Sequence, residues 1–174
     1  MKLHINELFI RVYQKLKNVS LNQKKHLAAN AYEHTEQVVQ RANDLSRLNN
    51  LTQDEANLLG TVAKVHDIGK ILGHANPQGS VELLNKYGAT DETLLHFVKY
   101  HDVNLPWFIA HSKGEAPGDK AWKKMCRLVD IKLLCIFMIA DRVDCPGGFL
   151  ANEPIMWFLG ECQKKNLINK ILTE

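Results

Sequence analysis

The chain has 174 residues, 45% of them hydrophobic and 24% charged, a composition that fits one ordinary globular domain over residues 1–174. Its formal net charge of +3, without a dense block of lysine or arginine, does not by itself indicate nucleic-acid binding. No apolar run approaches the ~20 residues of a membrane span. The four cysteines form no CxxC pair and follow no secretory leader, so we expect reduced thiols in a cytoplasmic protein.

The first long helix is predicted from a capping box formed by Ser20 and Gln23. Apolar residues then recur at helical spacing until Asn49-Asn50, which ends the pattern. The shared apolar face consists of Leu27, Ala31, Val38, Ala42 and Leu45.

The second helix begins at another capping box, formed by Thr52 and Glu55. It leads through an apolar stretch to the sequence KVHDIGK at residues 64–70, in which Gly69 is predicted to end the helix.

The rest of the chain is also helical in its pattern. A polar segment rich in glycine and proline, HSKGEAPGDK at residues 111–120, is the one clear loop. The remaining predicted helices run from Pro77 to Gly88, from Asp91 to about His101, between about Asp119 and Val143, and from Glu153 to the end. No strand-like alternation occurs, so the predicted fold is a single compact all-α domain.

Four side chains of the type that binds metals lie on the apolar faces of these predicted helices. His34 falls within the apolar stripe of the first helix, and His66 continues the stripe of the second, with Asp67 beside it. Asp141 lies in IKLLCIFMIADRVD, residues 131–144, which is apolar nearly all round. An unpaired carboxylate buried there would cost several kcal/mol, so Asp141 must have a partner.

Two interpretations of these residues remain open on pattern alone. A lone histidine on an apolar face is more often a hydrogen-bonded core residue, and Asp141 alone could pair with Arg142 or a nearby lysine. In combination, however, two histidines and two carboxylates suit a divalent cation of borderline hardness, whose charge would compensate theirs.

The order H…HD…D resembles the HD-domain superfamily of metal-dependent phosphohydrolases. The likeness spans EHTEQVVQRA (33–42), KVHDIGK (64–70) and IADRVD (139–144), and therefore most of the chain. An isolated HD dipeptide carries no information, but HDIGK after a helix, with an inward histidine upstream and a late aspartate, is a specific signature.

The resemblance implies an all-α fold and a divalent metal held by His34, His66, Asp67 and Asp141. The metal could be Mn, Fe, Co, Ni, Zn or Mg. The resemblance also implies that metal-activated water hydrolyses a phosphomonoester or phosphodiester, usually in a nucleotide or at an RNA or DNA end.

The sequence departs from the pattern of the two-metal members. NPQGSVELL (76–84) resembles their HPxxxxEIL segment, but Asn76 stands where a metal-binding histidine would be. KYHD (99–102) resembles their paired-histidine segment with Tyr100 in the first position, and no GYP element follows. We therefore expect one metal rather than two, and a substrate other than cyclic di-GMP.

Four further residues are candidates for the chemistry. Lys70 could place its ammonium over a phosphate oxygen, or it could be a solvated lysine favoured by the helix dipole. His101 and Asp102 could form a proton-transfer pair, support a ligand, or lie on a helix surface. Arg142 could orient Asp141 or contact phosphate.

Three classes of function follow from the sequence. The first is a metal-dependent phosphohydrolase acting on a phosphorylated small molecule, notably a nucleotide, or on a nucleic-acid end that Lys113, Lys120 and Lys123-Lys124 could follow electrostatically. The second is a non-catalytic nucleotide-sensing or adaptor module on the same scaffold. The third is a helical interaction domain whose polar residues coincide by chance.

Overall fold

The computed structural model of the protein describes residues 7–73 and 77–174, and within these ranges it contains no β-strand. The α-helices are α1 (Glu7–Gln14), α2 (Ala31–Leu48), α3 (Gln53–Val65), α4 (Pro77–Lys86), α5 (Glu92–Tyr100), α6 (Asn104–Ser112), α7 (Asp119–Leu128), α8 (Ile131–Asp141) and α9 (Glu153–Lys164). Short 3₁₀ helices occupy Lys15–Asn18, Ile68–Leu72 and Phe149–Ala151. The predicted all-α class is confirmed.

Helix α8 lies in the core of the fold. Every residue from Leu133 to Asp141 is buried, as expected of a helix that is apolar on all sides. Helices α2, α3 and α9 pack around α8, and Asp130 caps its first turn by accepting a hydrogen bond from the Leu133 N–H. The aspartate at its C-terminal end is therefore held by the most buried element of the molecule.

Helices α2 and α3 pack against each other and present their apolar faces to α8. The predicted capping box of α3 is present, because Thr52 Oγ1 accepts from the Glu55 N–H while the Glu55 carboxylate accepts from the Thr52 N–H. On α2, Val38, Ala42 and Leu45 are fully buried, which directs that face of the helix into the core.

The capping box predicted at Ser20 and Gln23 is wrong. Residues 20–30 form an irregular segment closed by an isolated bridge between Ser20 and Asn30, and Leu27 is 69% exposed. Helix α2 begins instead after Asn30, whose side chain accepts a hydrogen bond from the Glu33 N–H. The Gln23 amide instead donates to the carbonyls of Leu21 and Ala28, which closes this segment on itself rather than starting a helix.

Gly69 does not end α3, which stops at Val65. The chain continues into the 3₁₀ helix Ile68–Leu72, and Gly73 ends that helix with a left-handed φ of 83°. Gly69 instead allows a close approach to α4. Its N–H donates to Ser80 Oγ at 3.0 Å, and a Cβ at this position would lie 2.3 Å from the Ser80 backbone nitrogen.

Helices α4 and α5 agree with the sequence prediction. Pro77 opens α4, and Gly88 follows its end with a φ of 81°. Asp91 caps α5 by accepting from the Leu94 N–H. Asn76, which replaces the histidine of the two-metal pattern, lies outside the described residues.

Two predicted boundaries are wrong in the second half of the chain. The loop predicted at 111–120 starts too early, because α6, which the sequence did not predict, extends to Ser112. Pro106 lies in the first turn of α6, where its missing N–H costs no intrahelical hydrogen bond. The last helix ends at Lys164 rather than at the C-terminus, since Asn166 adopts a positive φ.

Across the described ranges, no helix is both long and apolar enough to cross a bilayer.

Candidate metal centre

The four predicted metal ligands lie close together in the structure. Asp141 Oδ1 is 3.1 Å from the Nε2 atoms of both His34 and His66. Asp67 Oδ2 is 3.6 Å from His34 Nε2 and 3.3 Å from His66 Nε2. We call His34, His66, Asp67 and Asp141 the four-residue cluster. The structure brings these side chains together, and their binding of a metal stays a prediction.

His66 provides the observation that tests whether this cluster fits a cation. Its Nδ1 must donate to the Ala63 carbonyl oxygen at 2.9 Å, because that oxygen can only accept. In the neutral ring, Nε2 then carries a lone pair that faces the oxygens of Asp67 and Asp141. Within the described part of the chain, this fully buried Nε2 makes no hydrogen bond of good geometry, although oxygens of Asp141 and Asp67 lie 3.1 and 3.3 Å away. Three electron-pair donors around one point fit a bound cation.

The electrostatics of the cluster also favour a cation. Burial opposes the charge of Asp67, but His66 and Lys70 outweigh it and hold the pKa of that carboxyl well below its usual range. Burial likewise opposes the charge of Asp141, and Arg142 with the histidines keeps its pKa well below the usual range. Burial lowers the pKa of His66, but the two carboxylates outweigh it and raise it to about 10, so a proton competes with a cation for the Nε2 position that faces them. The same negative potential attracts a dication.

A further aspartate, which was not predicted as a site residue, contacts the side of the His34 ring that faces away from the four-residue cluster. Asp144 is buried, and its Oδ1 lies 3.0 Å from His34 Nδ1. Its Oδ2 lies 3.1 Å from His26 Nδ1 and accepts from the Ala28 N–H at 3.3 Å. We call His26, Asp144 and the Nδ1 side of His34 the Asp144 cluster. Because the Asp144 carboxylate accepts from Nδ1, the Nε2 of His34 is directed at the four-residue cluster.

The sequence carried one signal for Asp144. It lies three residues after Asp141 in IADRVD, so a turn following α8 could return its carboxylate to the same region. His26 gave no signal, because the segment around it was predicted to be helical.

The ammonium of Lys70 lies at the edge of the four-residue cluster. Its Nζ is 2.5 Å from Asp67 Oδ2, and its side chain is only 13% exposed. The alternative of a freely solvated lysine is therefore wrong. Burial lowers the pKa of Lys70, but Asp67 outweighs that effect and raises it, so the charge is retained.

Arg142 joins two carboxylates. Its guanidinium contacts the Asp141 carboxylate and donates to Asp102 Oδ1 at 2.9 Å. His101 is buried, and its Nδ1 donates to the Val98 carbonyl oxygen at 2.6 Å. Asp102 therefore accepts its hydrogen bond from Arg142. His101 is buried, so the alternative that it lies on a helix surface is wrong.

The family model of the HD domain matches residues 31–145, which is more than half of the chain. The chain belongs to the HD-domain family. Comparison with curated proteins and with solved structures gave no match.

Most members of the HD-domain superfamily are metal-dependent phosphohydrolases, and HD domains bind divalent metals. The histidine and aspartate groups of this HD domain could hold such an ion. The three sequence motifs that carry the resemblance, at residues 33–42, 64–70 and 139–144, all lie inside the matched range, so the predicted resemblance is confirmed.

A cavity of about 880 Å³ opens over the four-residue cluster of this HD domain. The predicted site residues that line it are His34, Asp67, Lys70, His101, Asp102, Asp141 and Arg142. Lys24 and Lys25 also line it. Cavities of this volume accept a ligand of nucleotide size.

Proposed function

We propose that this HD domain hydrolyses a phosphomonoester or phosphodiester, in a nucleotide or at a nucleic-acid end, with one divalent metal ion. The ion would be held by His34, His66, Asp67 and Asp141. The observation that carries the proposal is the buried Nε2 of His66, which lies 3.1 and 3.3 Å from oxygens of two carboxylates and makes no hydrogen bond of good geometry in the described chain.

The donor set supports an ion of borderline hardness. Two imidazole nitrogens and two carboxylate oxygens suit Mn, Fe, Co, Ni or Zn, and Mg would rely on the oxygens. When bound, such an ion supplies a water of lowered pKa and neutralises charge on the phosphoryl group.

The cationic side chains of the cavity would bind the scissile phosphate. Lys70 is a compact charge that can approach a phosphate oxygen while Asp67 holds its ammonium in place. Arg142 is held between Asp141 and Asp102, so its guanidinium is already oriented at the cavity wall before a substrate binds. Both groups can stabilise negative charge that develops on the phosphoryl oxygens.

His101 is the residue that we propose moves a proton at the leaving oxygen. Its Nδ1 proton is engaged by the Val98 carbonyl, which leaves Nε2 to exchange a proton with the substrate. The ring lies 5.2 Å from that of His66, next to the cluster, and lines the cavity.

The test combines metal analysis with a substrate screen. We expect about one divalent ion per chain in freshly purified protein, and phosphate release from at least one nucleotide, 2′,3′-cyclic phosphate or phosphorylated oligonucleotide. A chelator should stop the release and the returned metal should restore it, while Asp67→Asn should show neither bound metal nor activity. Protein that contains metal and binds nucleotides without turnover would support the sensing module instead. Absence of both metal and hydrolysis would refute the proposal.

A further inference from the structure

Two lysines that line the cavity do not belong to the four-residue cluster. Lys24 and Lys25 are exposed side chains of the irregular segment 20–30, and both line the cavity. Neither makes an ion pair with any residue that the structure describes. Lys70 and Arg142, by contrast, each contact carboxylates of the site.

The segment that carries these lysines is attached to the Asp144 cluster, which orients His34. The backbone carbonyl of Asp144 accepts from the Leu27 N–H at 2.8 Å, and the Asp144 carboxylate accepts from the Ala28 N–H. The Gln23 amide donates to the Ala28 carbonyl at 3.0 Å, which closes the turn around the lysines. Asp144 therefore holds both His34 and the backbone of the lysine segment, so their relative position is set by one residue.

The charge of the cavity indicates what these lysines would bind. Four aspartates are among the lining residues, namely Asp67, Asp102, Asp141 and Asp144. Lys70, Arg142 and one dication balance those four negative charges. Lys24 and Lys25 remain as uncompensated positive charge in addition to the groups that face the scissile phosphate.

We propose that Lys24 and Lys25 form a second phosphate subsite, so that the preferred substrate carries a second phosphate besides the scissile one. This inference rests on the proposed function. Lysine ammonium groups bind phosphate as point charges without demanding one orientation. The second phosphate could be the neighbour in a diphosphate chain or a phosphate on the other side of a ribose, and both present the same anionic group.

The test compares probes that differ in the second phosphate. We would measure kcat/KM for a nucleoside 5′-monophosphate, the matching 5′-diphosphate and the matching 3′,5′-bisphosphate, with the wild type and with Lys24→Gln/Lys25→Gln. The wild type should prefer one of the two-phosphate probes by roughly tenfold or more, the order expected for one or two charge-assisted contacts. In the double variant that preference should shrink at least tenfold, mainly through KM. The probe that loses its preference identifies the source of the second phosphate.

A matched control removes the same charge elsewhere. Lys15→Gln/Lys86→Gln changes two exposed lysines that do not line the cavity, so it should keep the wild-type preference. Equal kcat/KM values for all three probes, or an unchanged preference in Lys24→Gln/Lys25→Gln, would overturn the subsite while leaving the phosphohydrolase intact. A wild type that hydrolyses no phosphoester would instead refute the proposed function, and calorimetric binding of inorganic pyrophosphate would then test the subsite alone. Loss of pyrophosphate affinity in Lys24→Gln/Lys25→Gln would support it, and equal affinity would exclude it.

Discussion

The two clusters that share His34 are alike in residue type and spacing but differ in hydrogen bonding. The possible ligand atoms of His26, His34 and Asp144 lie within 4.8 Å of one another, as do those of His34, His66 and Asp67. In the Asp144 cluster, the carboxylate accepts from two imidazoles and a backbone N–H, so its lone pairs are used. In the four-residue cluster, the Nε2 of His66 makes no hydrogen bond of good geometry among the described residues. The distance between the side chains therefore does not distinguish the two clusters. The difference is that an imidazole nitrogen of the four-residue cluster remains available to a cation, whereas the carboxylate of the Asp144 cluster is engaged in orienting a ligand.

The largest effect is expected from Asp141→Ala in the four-residue cluster. The change removes one ligand, and we expect the protein to lose its metal and roughly a thousandfold or more in hydrolysis, since a metal supplies several kcal/mol of transition-state stabilisation. The effect on the free energy of unfolding should be smaller than the effect on activity. The buried carboxylate is lost together with the ion that it would bind, and Arg142 retains its hydrogen bond to Asp102. Elemental analysis, rates and melting curves check this.

Chelation provides the control for that variant. Removing the metal should lower the melting temperature of the wild type, because an ion that binds only the folded state stabilises it by mass action. The same treatment should leave Asp141→Ala unchanged. An unfolded Asp141→Ala protein would make the residue structural, and a fully active one would remove it from the site.

Lys70→Ala comes next, at the edge of the same cluster. We expect bound metal to be retained and kcat/KM to fall roughly ten- to a thousandfold, the order for losing one charged contact in the transition state. Lys70→Arg should recover only part of the loss, because the guanidinium is larger and planar. Parallel measurements of metal content, melting temperature and rate separate this from a folding defect. Normal rates on the true substrate would show that Lys70 only neutralises Asp67.

A smaller effect is expected from the Asp144 cluster. Asp144→Asn keeps the shape of the side chain but replaces an acceptor oxygen by an NH₂ group, so the orientation of His34 is weakened. We expect metal affinity to fall about ten- to a hundredfold, the usual range for groups that orient a ligand. A competitive metal-binding dye measures this without substrate. Equal affinity in wild type and variant would contradict the supporting role, and complete loss would make Asp144 as important as a ligand.

The smallest effect is expected from His26→Ala. The His34–Asp144 hydrogen bond and the Ala28 N–H contact remain, and the His26 side chain is partly exposed. Its loss should cost about 1 kcal/mol in stability, the usual net value of one hydrogen bond. Chemical denaturation measures the loss, and the metal dye should report little change. A loss of metal as large as that in Asp141→Ala would mean that His26 belongs to the binding site itself.

The sequence predicted the parts of this site that depend on helical periodicity. His34, His66 and Asp141 share a face with apolar residues that are buried, so their convergence follows from packing three helices into one core. The capping box at Thr52 and Glu55 is equally local, since both partners lie within four residues of each other.

The sequence did not predict the features that depend on contacts between distant segments. The Asp144 carboxylate binds Ala28 across 116 residues of chain, and no local pattern records such a pairing. Ser20 and Gln23 have the spacing of a capping box, yet Gln23 bonds to its own segment. Gly69 was predicted to end a helix. In the structure its missing side chain instead allows the backbone of Ser80, in a different helix, to pack against it. When a local sequence pattern is compatible with several structures, the contacts with distant segments determine which structure forms.

The burial of α8 has a consequence for hydrogen exchange. Amides in a helix enclosed on all sides exchange only when the whole domain opens, whereas amides in the exposed segment around Lys24 and Lys25 exchange through small local fluctuations. Asp141 therefore belongs to the slowest-exchanging unit of the chain. A metal that binds only the native state should raise the protection of α8 amides by RT ln(1 + [metal]/Kd), so mass spectrometry of α8 peptides at several metal concentrations can measure metal affinity without any substrate.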